Sequence, residues 1–214
     1  MPAYTRGVPG KISAVLLAAG ESTRMGQLKA LLPWEGRPLL RSQVDALLAA
    51  PIERLVVVLG YRRADLLPLL PSDSRLVAIE NPGYASGKVS SVVAGVRAVS
   101  VDGHVLILGV DQPRPTLLIR EVCGEHVREN NAITIAAYQG RRGHPVAFAP
   151  TLRSELLDLR EETEGLRAVL RSHREKIVSV ETGDPLAIVN VNTPEDYAAA
   201  LRLNSTSSAR AGNQ

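Results

Sequence analysis

Six short runs rich in Val, Ile and Leu recur along the chain with longer segments of helical period between them, and this alternation restricts the fold more than any other feature. The runs are KISAVLLAA (11–19), RLVVVLG (54–60), RLVAIE (75–80), HVLILG (104–109), AITIAAY (132–138) and KIVSVE (176–181). Several are apolar at consecutive positions, the pattern of strands covered on both faces. Helical period fits residues 37–50, 86–99, 115–130, 163–173 and 193–203. Strand and helix in turn predict βα units, hence a single-domain, Rossmann-like α/β fold with a mostly parallel sheet flanked by helices. QGRRGHPVAF (139–148) reads as a turn between strands and predicts a short antiparallel departure near the sheet edge.

A chain of 214 residues can bury one sizeable core but leaves little room for a second. We expect one domain over 11–203, with flexible tails at 1–10 and 204–214, where the composition is small, polar or rich in Gly and Pro. Two helices carry start signals: Thr193 as N-cap followed by Pro194, Glu195 and Asp196, and Pro115 opening another. The net charge of +3 comes from scattered cations without a basic run. One Phe, one Trp and five Tyr offer few rings for stacking bases, so a nucleic-acid partner is not expected. Cys123 is the only cysteine, which excludes an intrachain disulfide and a Cys-rich zinc site. No apolar run reaches the length of a membrane span, and a cytoplasmic protein that is monomeric or weakly self-associating is the expectation.

In parallel α/β sheets ligands bind beyond the carboxyl ends of the strands. The first such loop, AGESTRMGQLK, sets Gly20 before Arg24 and Lys29. A bare glycine lets a ligand approach main-chain N–H groups, and the two cations add full charge against a polyphosphate. An ordinary loop with two solvated cations has the same spacing. The spacing from Gly20 to Gly26 is one residue too long for a P-loop, and the G-x-G-x-x-G fingerprint is absent. A second strand ends in GVDQP, where Asp111 is either a helix cap or a magnesium ligand. Mg2+ is commonly held by one or two carboxylates while phosphates and water complete its shell.

Taken together, LAAGESTRMG with Lys29, NPGYASGKVSSVVAGV, GVDQP, RRGHPV and NVNTPED resemble, in that order, the MobA-like nucleotidyltransferases over roughly residues 12–200. The resemblance is strongest to the branch of molybdenum cofactor cytidylyltransferases. It implies a fold of the nucleotide-diphospho-sugar transferase type, with Leu17, Ala18, Ala19, Gly20, Arg24 and Lys29 around the triphosphate and Asp111 holding Mg2+. It further implies Asn81, Gly87, Ser90 and Ser91 near base and ribose, although serines on a packed helix surface would serve equally well as structure. Gln112, Pro113, His144, Gly165 and Arg167 fall on the acceptor side, His144 either contacting the acceptor or shaping its hairpin.

The implied reaction moves CMP from CTP to the phosphate of molybdenum-molybdopterin and releases pyrophosphate, with Arg24, Lys29 and Asp111 catalytic and a molybdoenzyme as client. Such an acceptor is already ionised near neutral pH, so no general base is required. Ala19 follows the L-A-A-G form of the cytidylyltransferases, whereas Asn190 and Asn192 resemble the guanylyltransferase branch; either asparagine could supply a neutral oxygen to the metal. Thr163 replaces an acid usual in the G-D-x-G-x-R stretch, while Gly165 and Arg167 remain. A GTP-using or sugar-phosphate nucleotidyltransferase, or a non-enzymatic pterin carrier, are the alternatives, the carrier being disfavoured by Lys29 and Asp111 together.

Overall fold

The computed structural model describes residues 11–211. The tail expected at 1–10 lies outside them. In chain order the main elements are β1 (Ile12–Ala18), β2 (Pro33–Trp34), β3 (Arg37–Pro38), α1 (Leu39–Leu48), β4 (Arg54–Leu59), α2 (Arg63–Leu66), β5 (Leu76–Glu80) and α3 (Lys88–Arg97). There follow β6 (His104–Gly109), α4 (Thr116–Arg128), β7 (Ile133–Tyr138), β8 (Arg141–Phe148), α5 (Arg153–Leu157), α6 (Leu166–Ser172), β9 (Ile177–Glu181) and α7 (Pro194–Ala211). Seven strands form one sheet in the order β5-β4-β1-β6-β8-β7-β9, and β2 pairs with β3 in a separate antiparallel ribbon. Every strand of the large sheet runs the same way except β8, which is antiparallel to both neighbours.

The consecutive apolar runs are explained by position. Strand β1 sits between β4 and β6, and all seven of its residues are buried. Successive side chains point to opposite faces, so Ala14 and Leu16 join a core with α1, α4 and α7, while Val15 and Leu17 join one with α3, α5 and α6. The edge strands β5 and β9 are only half covered. Cys123 packs inside the first core, and burial pushes its thiol up to about 12, so it is a hydrophobic filler.

The antiparallel strand departs from expectation in place and extent. Gln139 and Gly140 alone make the turn, both at positive φ (49° and 74°), as a two-residue hairpin requires. All of 141–148 is strand, and it lies between β6 and β7, two strands in from the β9 edge. Its second half, Val146 to Phe148, is as apolar and buried as a central strand, which accounts for the internal position. Residues 37–38 belong to the ribbon and not to the helix that follows, α2 and α5 are short helices not evident in the periodicity, and α7 runs on to Ala211.

Two histidines far apart in sequence meet at the end of the sheet opposite the strand ends. His104 Nδ1 lies 2.9 Å from His126 Nε2, whose Nδ1 is 2.8 Å from Thr134 Oγ1. The rings stand edge to face, with centroids 4.8 Å apart. Burial, then the neighbouring His104, pushes His126 down to about 4, and burial lowers His104 as well. An unfolded histidine titrates near 6.5, so between that value and about 4 the unfolded chain binds the extra proton. Stability is therefore full above pH 6.5 and falls as the pH drops toward 4. Urea midpoints taken from pH 7.5 to 4.5 should show a loss of roughly 2–3 kcal/mol from this pair, with a flatter profile for His126→Gln.

Helix α3 approaches β1 so closely that a Cβ on Gly95 would lie 2.3 Å from Val15 Cγ1. Gly95→Ala should therefore destabilise by about 1–3 kcal/mol, despite alanine's higher helix propensity, as a lower urea midpoint would show.

Candidate active site

The carboxyl ends of β1, β5 and β6 open onto a cleft of about 310 Å³ lined by Leu17, Ala19, Gly20, Ser22, Lys29, Tyr84, Gly87, Lys88, Ser91, Gly109, Val110 and Asp111. A cleft of about 360 Å³ also opens near α1 and α4, with Trp34, Gln43, Arg114 and Thr116 in its wall. Only the first is lined by the loops after β1 and β5 together with the end of β6, where parallel sheets place their ligands.

The glycine-rich loop is built by turns and anchors. Ser22 (φ 60°) and Gly26 (φ 71°) adopt left-handed conformations around a 3-10 turn at Thr23–Met25. Met25 and Leu28 are buried and pin it to the core. Ser22 Oγ accepts the Lys29 amide at 3.1 Å, closing the loop on itself. A Cβ on Gly20 would meet no protein atom within 4 Å, so the backbone there faces open space. Leu17 and Ala19 line the cleft, whereas Ala18, one position out of phase, packs on the opposite core.

Lys29 is only 9% exposed, and its ammonium donates to Asn192 Oδ1 at 2.9 Å and lies 3.7 Å from Asp111 Oδ2. Arg24 reaches the same Asn192 oxygen at 3.3 Å. Burial holds the Lys29 pKa below its ordinary value, Asp111 opposes that, and the charges of Arg24 and Lys88 add to it. Residues distant in sequence, 24 and 29, 111, and 192, are thus brought together. Asn190 does not join them: its Oδ1 accepts Gln112 Nε2 at 2.9 Å, while Gln112 Oε1 accepts the Gly109 amide at 2.8 Å. Gln112 is 3% exposed and braces the strand end. A Cβ on Gly109 would lie 2.3 Å from Asp111 Oδ1, so a glycine is needed for the carboxylate to fold back over β6.

Asn81 is buried, and its carboxamide is engaged within the protein: Nδ2 donates to Ser90 Oγ (2.9 Å) and Ser91 Oγ (3.0 Å), and Oδ1 accepts the Gly83 amide (3.0 Å). Of this group Ser91 and Gly87 line the cleft, and Gly87, at φ 122°, opens α3. In β8, burial pushes His144 down to about 3, with Lys88, Arg114 and Arg167 adding to the lowering and Asp111 opposing it. It is a neutral imidazole facing a cationic basin. Gly165 (φ 56°) lets the 161–165 segment rest on α3, since a Cβ there would lie 2.6 Å from Val89 Cγ2.

Arg114, which carries no expected role, ties these loops together. It is 1% exposed and donates to the backbone carbonyls of His144 (2.8 Å), Pro113 (3.0 Å) and Val189 (2.8 Å), while its amide donates to Gln43 Oε1 (3.1 Å). Burial lowers its pKa to about 9, which still leaves it cationic at neutral pH. The signal available was an arginine held between Pro113 and Pro115 directly after the strand. Lys88 and Tyr84 are further cleft residues the sequence reading passed over, though both stand inside the NPGYASGK motif.

Among the described residues no three His, Cys, Asp or Glu side chains converge as a ready-made metal site. The donors at hand are hard oxygens, one carboxylate on Asp111 and the amide oxygen of Asn192, a set suited to a divalent ion that takes further oxygens from phosphates and water. No described helix is long and apolar enough to cross a membrane.

Known proteins resemble the chain over most of its length. Over 190 residues the chain is 30% identical to the molybdenum cofactor cytidylyltransferase of Escherichia coli K12, covering 88% of this chain and 95% of that one. It is 31% identical over 205 residues to the nicotine blue oxidoreductase of Paenarthrobacter nicotinovorans, covering 89% and 96%. A solved nucleotidyl transferase from Methanothermobacter superposes with a TM-score of 0.76 at 25% identity, over 92% of this chain and 99% of that one. The MobA-like NTP transferase domain matches residues 14–177. With a seven-stranded, mostly parallel sheet and that match over most of its length, the chain belongs to the MobA-like NTP transferase family.

Proposed function

We propose that this enzyme transfers CMP from CTP to the terminal phosphate of molybdenum-loaded molybdopterin and releases pyrophosphate. The observation that carries the reading is the Lys29 ammonium, seated in the strand-end cleft between Asp111 Oδ2 (3.7 Å) and Asn192 Oδ1 (2.9 Å) and beside Gly20. An oxygen of the acceptor phosphate attacks the α-phosphorus of the nucleotide, a new P–O bond forms, and the bond to the β-phosphate oxygen breaks. The electron pair leaves with pyrophosphate. No proton has to be moved, and His144, neutral and cationically surrounded, fits a hydrogen-bonding partner for the acceptor better than a base.

Arg24 and Lys29 meet the β- and γ-phosphates as negative charge gathers on the leaving group. The Asp111 carboxylate, with Asn192 near the same ammonium, would hold the divalent ion, for which we take Mg2+. When bound, that ion supplies positive charge at the α-phosphate. Asn81 acts by shaping the loop: its three hydrogen bonds fix Gly83 to Ser91 and so set the wall on which base and ribose would lie. Ala19 on the cleft floor is the support for CTP. Asn190 and Asn192 support GTP as the second reading. On this reading the reaction is cytoplasmic, and the product would pass to a molybdoenzyme client.

The deciding assay is pyrophosphate release with CTP or GTP, each with and without molybdenum-loaded molybdopterin. Release from CTP that requires the pterin is expected, and release from GTP alone would transfer the reading to guanylyl transfer. Asp111→Asn should lower the rate about 10²–10³-fold with an unchanged urea midpoint; near-normal turnover at limiting Mg2+ would remove Asp111 from the metal. Ala19→Gly should move the CTP:GTP ratio of kcat/KM toward GTP by about tenfold, a shift read from parallel progress curves.

A further inference from the structure

Among the described residues two cations in and around the cleft, Lys88 and Arg167, make no side-chain hydrogen bond or ion pair, and of the two only Lys88 lines the cleft. Arg24 and Lys29 share Asn192, and Arg114 is enclosed by carbonyls. Lys88 is exposed, lines the cleft with Gly20, Lys29 and Asp111, and its side chain enters no ion pair or hydrogen bond among the described residues. It is also the first residue of α3, whose first turn holds no acid. A cation there opposes the positive end of the helix, an opposition that the Glu161 carboxylate at the same terminus offsets.

The helix terminus itself is already filled. Glu161 Oε2 accepts the Val89 amide at 2.9 Å, and a Cβ on Gly87 would lie 2.4 Å from that carboxyl carbon. What remains for an incoming anion is therefore the Lys88 ammonium. Its surroundings locate it between the two halves of the site, because its charge acts on Lys29 on the triphosphate side and on His144 on the hairpin side. The other charged groups around it are Arg24, Arg114 and Arg167, with two acids, Asp111 and the Glu161 carboxylate at the start of α3.

We infer that Lys88 binds the phosphate of the acceptor and holds it against the nucleotide, so that this subsite takes a phosphomonoester dianion. The inference rests on the transferase reading for the name of the acceptor, but not for its charge. Two anions must approach within bonding distance for the transfer, and a cation between them removes much of the repulsion that opposes this.

The test uses the full-length protein loaded with Mg2+ and an α,β-methylene CTP analogue, titrated with inorganic phosphate by calorimetry, beside Lys88→Met and Lys88→Arg. Lys88→Met should weaken phosphate binding about tenfold or more and leave analogue affinity within about twofold, and Lys88→Arg should restore most of the loss. In turnover, Lys88→Met should raise KM for the pterin and leave KM for CTP in place. Equal phosphate affinity in wild type and Lys88→Met, no phosphate binding by the wild type, or a loss that falls on the analogue instead would overturn the assignment. If the wild type releases pyrophosphate from neither nucleotide, the transferase reading fails while the phosphate titration still decides Lys88.

Discussion

The buried guanidinium of Arg114 is the interaction on which the site's geometry depends. It grips three stretches of backbone, at Pro113, His144 and Val189, and so fixes the end of β6, the start of the β8 hairpin and the segment leading to α7 relative to one another. A cation this deep is tolerated only when its N–H groups are met by oxygens, and carbonyls do this without cancelling the charge. Asp111, His144 and the Asn190–Asn192 pair are carried on those same three stretches. Glycines complete the assembly: a Cβ on Gly143 would lie 1.9 Å from the Ala187 carbonyl oxygen, so the hairpin can approach the last segment only with a hydrogen there.

The cleft that results holds more positive than negative charge. Arg24, Lys29, Lys88, Arg114 and Arg167 stand there against the carboxylates of Asp111 and, at the start of α3, Glu161. That imbalance is unfavourable in the empty protein and becomes favourable with a polyphosphate, the electrostatic preorganisation a phosphoryl-type transfer requires. Lys29 and His144 register it directly, since both are held toward their neutral forms by burial and by neighbouring cations.

Much of this was legible because the informative patterns were local. Consecutive apolar residues in β1, β4 and β6 announce strands covered on both faces, and strand–loop pairs announce where ligands bind. Lys29, Asp111 and Asn192 were readable as site residues because a motif surrounds each of them. What was not legible involves partners chosen across the sheet. Asn81 stands inside a motif taken to meet the base, yet its carboxamide is occupied by Ser90, Ser91 and Gly83. Gln112 likewise braces Gly109 and Asn190, and whether a side chain faces ligand or protein is not encoded in spacing.

By itself the sequence determined the class of fold, the position of the cleft and the family, because hydrophobic period, turn residues and motif order are properties of the chain read in one dimension. Tertiary structure alone decided that β8 inserts between β6 and β7, that His104 and His126 share hydrogen bonds, that Asn192 and not Asn190 meets Lys29, and that Arg114 joins three loops. Each of these depends on strand order and on distances between residues tens of positions apart, which are settled only when the two faces of the sheet are buried together.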